Sequence, residues 1–298
     1  MKKQLFTYAI HEVAGYINWL YFFHAWDFPP RFASIADVHG CDSCRALWLA
    51  AFPEEERAQA AEAMQLFKEA SRMLNQMDSE FTTLAICCLC EANADGDDLL
   101  LDGCRLPLLR QQTSVNPEEG PYLCLSDFVR PLSSGVTDCV GVFAATVDRR
   151  METLFPDDPY KRMLVQTLAD RLAEATAEVM HQHVRRTFWG YAPDEQLTVS
   201  QLHREEFQGI RPAVGYPSLP DQSVNFLLDN LLQMADIGIS LTEHGAMQPH
   251  ASVSGLMMAH PEARYFSVGK ISHEQLADYA SRRGLPATEM EKYLRHLL

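Results

Sequence analysis

Three prolines, a glycine and a leading arginine fall within ten residues of this chain, Arg211-Pro212-Ala213-Val214-Gly215-Tyr216-Pro217 and then Pro220. Each proline restricts φ and glycine tolerates positive φ, so the segment reads as a rigid, non-repetitive loop. Such a loop can hold backbone N–H and C=O groups still for a planar ligand edge. The Arg211 fork matches a carboxylate. On local physics alone such a proline-rich corner is more often structural. A second dense segment runs from Leu241 to Gly255 (LTEHGAMQPHASVSG) and continues to His260-Pro261 and Tyr265-Phe266. Its small residues, Ala251 to Gly255, would let another chain or a ligand approach closely. His244, His250 and His260 have no standard metal-ligand spacing.

The cysteines offer a further chemistry to weigh. Cys41 and Cys44 form one C-x-x-C, but no H-x-x-x-H supplies the other pair of a four-ligand set. Cys87, Cys88 and Cys90 sit on an expected buried strand, where alternation is taken to send Cys88 to the face opposite the other two. All eight cysteines are therefore read as reduced structural thiols. Asp37-Val38-His39 imitates the start of a D-x-H-x-x-G motif, but Asp42 occupies the glycine position and no glycine-rich loop follows, so the match is read as coincidence.

The elements that must position these residues follow from periodicity. A helix is expected over Pro53–Met77, with Ala60, Met64, Phe67, Ala70 and Leu74 on its buried face. Phe81–Cys90 and Leu99–Leu101 read as strands around an Asp95-Gly96 turn, and Cys139–Val147 as another. Pro107 to Pro131 carries loop signals, among them Pro117, Gly120 and Pro121. A long helix from about Tyr160 to about Arg186 would span about 40 Å and form the spine. A further helix is expected from Asp221, as N-cap, to about Ile237. Strands are expected at Ser240–Glu243, Ala251–Ala259 and Tyr265–Ile271. Two short closing helices would start at Ser272…Gln275 and Thr288…Glu291 capping boxes. Strands and helices mix without βαβ alternation, which favours α+β, and the absence of a linker favours a single domain over 1–298.

Composition narrows the class of partner. A formal net charge of −15 argues against nucleic acid, which recruits clustered Lys and Arg, and against an anionic membrane surface. It suits a protein partner with a basic docking face. His11, Glu12 and Asn18 interrupt the apolar N-terminal stretch, and no run reaches the roughly 18 apolar residues of a membrane span, so a cytoplasmic protein is expected.

The stretches GIRPAVGYPSLPDQS (Gly209–Ser223), LTEHGAMQPHASVSG (Leu241–Gly255), HPEARYFSVGKI (His260–Ile271), LADRLAEATAE (Leu168–Glu178) and FWGYAP (Phe188–Pro193) resemble the activation domain of cobalamin-dependent methionine synthase. The resemblance covers nearly the entire chain, and YINWLYFFHAW (Tyr16–Trp26) looks like the family's opening helix. It implies a C-shaped α+β domain with long central helices and a bent antiparallel sheet, which binds S-adenosylmethionine in a groove on its concave surface. By the same resemblance Arg211 grips the ligand's carboxylate, the Ala213 backbone beside Gly215 reads the adenine, and Tyr216, Tyr265 and Phe266 line the groove. Glu174 and Glu205 take the places of carboxylates near the sulfonium. Asn18 stands where the family has an aspartate, so it can hydrogen-bond the ligand's ammonium but supplies no charge.

The family's zinc, folate and cobalamin modules have no counterpart in this sequence. The resemblance therefore implies action in trans on the cobalamin of a methionine synthase that lacks its own activation domain, with a flavodoxin- or ferredoxin-like electron donor. The expected chemistry is reductive methylation of cob(II)alamin, which asks the protein for proximity and orientation and needs no general acid, base or covalent nucleophile. Rival readings are an S-adenosylmethionine sensor or structural partner that keeps the fold, and an activator of another corrinoid methyltransferase. A thiol- or zinc-dependent enzyme ranks last.

Overall fold

The computed structural model describes residues 2–112 and 122–298, so Pro117, Gly120 and Pro121 lie outside the described residues. Its centre is an antiparallel sheet of six strands: β1 (Lys2–Ala9), β2 (Thr82–Asp95), β3 (Asp98–Leu101), β4 (Cys104–Pro107), β5 (Asp138–Val147) and β6 (Ser252–Met257). β2 is long enough to pair twice. Thr83–Leu89 face both β1 and β5, and the far end of β2 turns back at Asp95-Gly96 into β3. β6 adds to the other side of β5.

Alternation along β2 and β5 gives the sheet two apolar faces. Ala85, Cys87, Phe143, Ala145, Val253 and Met257 pack against Ala177, Met180 and Val184 on one side. Ile86, Cys88, Cys90, Val142 and Leu256 pack against Val224, Leu228 and Leu232 on the other. The cysteine parity expected from sequence is thereby corrected. Residues two apart share a face, so Cys88 and Cys90 stand together with their sulfurs 3.8 Å apart, and Cys87 points away from both.

The helices are α1 (Ile10–Ala14), α2 (Trp19–Ala25), α3 (Asp42–Ala50), α4 (Arg57–Met77), α5 (Pro159–His183), α6 (Val199–His203), α7 (Val224–Leu232), α8 (His273–Arg283) and α9 (Ala287–Leu294). The sheet sits between α5 on one face and α7 on the other. In α4 Ala60, Ala70 and Leu74 are buried as expected, together with Ala63, Leu66 and Met73, while Met64 and Phe67 are only partly so. The α5 helix begins on Pro159 with Asp158 as cap, accepting from the Lys161 N–H.

Several boundaries differ from the sequence expectation. Within Tyr16–Trp26 the helix is α2, which Asn18 caps, and a separate short α1 ends before it with Gly15 as its C-cap. α5 gives way at Val184–Phe188 to a wider π turn. α7 is shorter than expected and starts after Ser223; Asp221 is spent elsewhere, accepting from the Ser223 N–H and the Tyr279 hydroxyl in the interior. Ser272 caps α8 by accepting from the Gln275 N–H, whereas α9 starts at Ala287 behind Pro286 without a Thr288 cap. Ser240–Leu241 pairs with Met247–Gln248 in a small separate ribbon. Tyr265–Ile271 is no strand. It crosses the proline corner, where Pro212, Pro217 and Pro220 offer no N–H for a ladder. It is held by separate bonds: the Val268 N–H to the Pro217 carbonyl, the Ile271 N–H to the Leu297 carbonyl and the Arg211 N–H to the Tyr265 hydroxyl.

Candidate functional site

The proline corner lies along β6. Ile210 and Met258 exchange two backbone hydrogen bonds, the Leu256 N–H donates to the Pro212 carbonyl, and the Val214 N–H donates to Ser254. Gly255 makes this approach possible: a Cβ there would run into the Pro212 carbonyl oxygen and lie 2.9 Å from both Ala213 Cα and Phe143 Cε1. The small-residue reading of Ala251–Gly255 thus has a definite partner, the backbone that carries Arg211 and Ala213. Gly215 does not line the groove that results. It takes φ +86° and donates its N–H to Leu219, closing the turn that presents Tyr216.

Between this ledge and α5 lies a groove with two connected lobes. The larger, of 490 Å³, is lined by Arg211, Ala213, Tyr216, Tyr265 and Phe266 with Glu174 and Glu205. The smaller, of 260 Å³, shares Glu174, Glu205, Arg211 and Tyr216 and reaches Asn18. The larger lobe falls within the range of small-molecule sites, about 300–1,000 Å³, and the smaller extends it. Eight of the nine residues singled out from sequence therefore border one continuous depression, with Gly215 behind it.

Electrostatics within the groove are uneven. Arg211 Nη2 donates to Glu178 at 2.9 Å, and the guanidinium lies 5.7 Å from the Phe143 ring centre. Burial opposes the Arg211 charge, but Glu178, Tyr265, Glu174 and Glu205 outweigh it and raise its pKa. Its backbone N–H donates to the Tyr265 hydroxyl at 2.9 Å, and Tyr216 donates to Glu174 at 2.9 Å. The Glu174 carboxylate and burial push Tyr216 up to about 12, and burial does the same for Tyr265, so both remain neutral phenols at pH 7. Burial also raises Glu205 above the ordinary carboxyl value of 4.5. Three carboxyl groups thus surround the Arg211 guanidinium, with Arg171 a second cation lining the smaller lobe. The carboxyl groups outnumber the guanidinium groups, a balance that favours a ligand with cationic groups and one carboxylate.

Glu178 was not among the sequence candidates, though it was legible: it lies four residues after Glu174 and so on the same face of α5. One of its oxygens, Oε1, is buried without a hydrogen-bond partner. Such a group is costly unless a ligand meets it. Asn18 keeps Oδ1 occupied, accepting from the Leu20 N–H at 3.2 Å as the cap of α2.

A second layer holds Glu205 in place. Arg185, fully buried in the π turn, pairs with Glu195 at 2.7 Å, bonds His181 Nδ1 at 2.7 Å and stacks 4.2 Å from the Phe207 ring centre. Burial drives His181 well below its ordinary value, and the neighbouring Arg185 adds to this, so the imidazole is neutral and can accept. This clasp ties the end of α5 to the loop bearing Glu205, whose φ of +58° marks a constrained backbone.

A family model described as "Vitamin B12 dependent methionine synthase, activation domain" matches residues 9–284. Among solved structures, one described as the MetH reactivation domain bound to AdoHcy superposes with a TM-score of 0.86 at 35% identity. The match covers 100% of this chain and 90% of that one. With its antiparallel sheet between long helices and its groove beside the proline corner, the chain belongs to the activation-domain family of vitamin B12-dependent methionine synthase.

Proposed function

We propose that the groove binds S-adenosylmethionine and that the chain, acting in trans as one unit over residues 1–298, presents it for reactivation of a cobalamin-dependent methionine synthase. The observation that carries this reading is the gathering of Glu174, Glu178 and Glu205 around the Arg211 fork in a single depression, whose smaller lobe is also lined by Arg171. S-adenosylmethionine has one carboxylate, an ammonium and a sulfonium. Arg211, which spends Nη2 on Glu178, would turn its other N–H groups to the ligand carboxylate. Glu178 Oε1 and Asn18 would receive the ammonium, and Glu174 and Glu205 would face the sulfonium. The Ala213 backbone would read the adenine edge, held to position by the β6 pairing, with Tyr216, Tyr265 and Phe266 closing the walls.

The partner's cobalamin supplies the methyl acceptor, and a flavodoxin- or ferredoxin-like protein supplies the electron, for reductive methylation of cob(II)alamin to methylcobalamin. What this chain contributes is orientation. Holding the reactants near 3–3.5 Å can be worth several kcal/mol of barrier. The similar MetH domain is described as bound to AdoHcy, the demethylated counterpart of the proposed ligand. A ligand sensor is the second reading, favoured by Asn18, which brings no charge to the ammonium. Reconstitution decides between them: purified chain, S-adenosylmethionine, a reductant and a methionine synthase lacking its activation domain should restore methylcobalamin and turnover. Ligand binding without restored turnover would leave the sensor reading and defeat the reactivation proposal.

A further inference from the structure

We infer that His39, Cys41 and Cys44 form a second site, independent of the groove, that takes a zinc-class metal ion. The residues belong to the stretch His39-Gly40-Cys41-Asp42-Ser43-Cys44, an H-x-C-x-x-C pattern at the entrance to α3. C-x-x-C alone lacks partners; the turn before α3 supplies one. One ligand atom from each of the three side chains lies within 4.8 Å of the others. On a tetrahedral ion with Zn–S of about 2.3 Å and Zn–N of about 2.0–2.1 Å, such atoms stand roughly 3.5–3.8 Å apart. Small side-chain rotations would therefore close the set on a metal.

The backbone favours this arrangement. Cys41 is the N-cap of α3, with φ −77° and ψ 153°, and its sulfur accepts from the Cys44 N–H at 3.4 Å. A donor N–H at a helix N-terminus stabilises the thiolate that binds metal. The Cys41 N–H in turn points to His39 Nδ1 at 3.4 Å, which holds the imidazole over the same turn. Two sulfurs and one imidazole suit zinc and disfavour magnesium or calcium, which take oxygen ligands. Cys41 and His39 are exposed and Cys44 partly so, which leaves a fourth position open to water or to a donor from a docked protein. Of the other six cysteines, Cys87, Cys88, Cys90 and Cys124 are buried, and Cys104 and Cys139 lie partly buried on β4 and β5, away from this turn.

The test uses the full chain, stripped with a chelator under reducing conditions and titrated with Co²⁺, then displaced by Zn²⁺. A single saturating thiolate-to-cobalt charge-transfer band is expected, lost on addition of zinc. Cys41→Ser with Cys44→Ser should abolish it while keeping the α3 cap, since serine caps helices well. His39→Ala should weaken the affinity by more than about tenfold, as expected when one of three ligands is lost. Binding of S-adenosylmethionine should be unchanged in these variants, which separates failure of this site from failure of the groove reading. Absence of the band, or a band that survives in the double cysteine variant, would overturn the assignment.

Discussion

Replacing Arg211 by alanine removes two things at once, and the structure allows them to be separated. Glu178 is paired to Arg211 at 2.9 Å with only 11% of its side chain exposed, against 13% for Arg211. Losing one partner of a buried pair costs about 3–5 kcal/mol, because the other charge stays without compensation. The small remaining solvent access places Arg211→Ala towards the lower end. At about 2–4 °C per kcal/mol for a large domain, its melting temperature should fall by roughly 6–12 °C. Arg211→Ala therefore weakens the fold as well as the site. Adding Glu178→Gln removes the stranded charge, so the double variant should regain most of the lost stability. Binding should not follow. Charge-assisted bonds to the ligand carboxylate are worth about 1.5–3 kcal/mol, which makes S-adenosylmethionine roughly 10–150-fold weaker in Arg211→Ala, and weaker still in the double variant, which also loses the Glu178 charge towards the ammonium. Thermal melts and calorimetric titration of wild type, both single variants and the double give a complete cycle. A double variant that binds with wild-type affinity would refute the role of Arg211, and an Arg211→Ala protein that melts like wild type would refute the buried pair.

Gly255→Ala should cost about 1–3 kcal/mol from overpacking against Pro212 and Phe143 and should weaken ligand binding by displacing the Ala213 ledge. Gly215→Ala, where φ is +86° but nothing crowds the added Cβ, should lower the melting temperature with little change in affinity. Asn18→Asp keeps the α2 cap and adds a charge to the smaller lobe, so affinity should rise by about 1 kcal/mol, roughly fivefold, in the same titration. Glu205 has its pKa raised by burial, so more protons are bound folded than unfolded at mildly acid pH; its contribution to stability is present below 4.5 and fades as pH rises through the raised value. Affinity moves the other way. Binding of the sulfonium should weaken on acidification starting above pH 4.5, and Glu205→Gln should flatten that profile.

Much of this site could be read in the sequence because its parts are locally encoded. Pro212, Pro217 and Gly215 announce a stiff corner, and the small residues ending at Gly255 announce a close approach. The i, i+4 spacing puts Glu178 on the face of Glu174, but nothing local marks its pairing, because its counter-charge, Arg211, lies 33 residues away. Tyr265–Ile271 looked like a strand from its alternation, but its neighbours are prolines, and pairing depends on what lies alongside. The Arg185–His181–Glu195 clasp has no local signature, since a buried arginine is indistinguishable in sequence from an exposed one. His39 joins Cys41 and Cys44 only through the geometry of one turn.

A crystal structure of the chain grown with S-adenosylmethionine is the most direct measurement. The account predicts the ligand in the groove beside α5, its carboxylate on Arg211, its ammonium towards Glu178 and Asn18, and its adenine along Ala213. Ligand bound away from the proline corner and β6, or a groove still empty at saturating concentration, would contradict it.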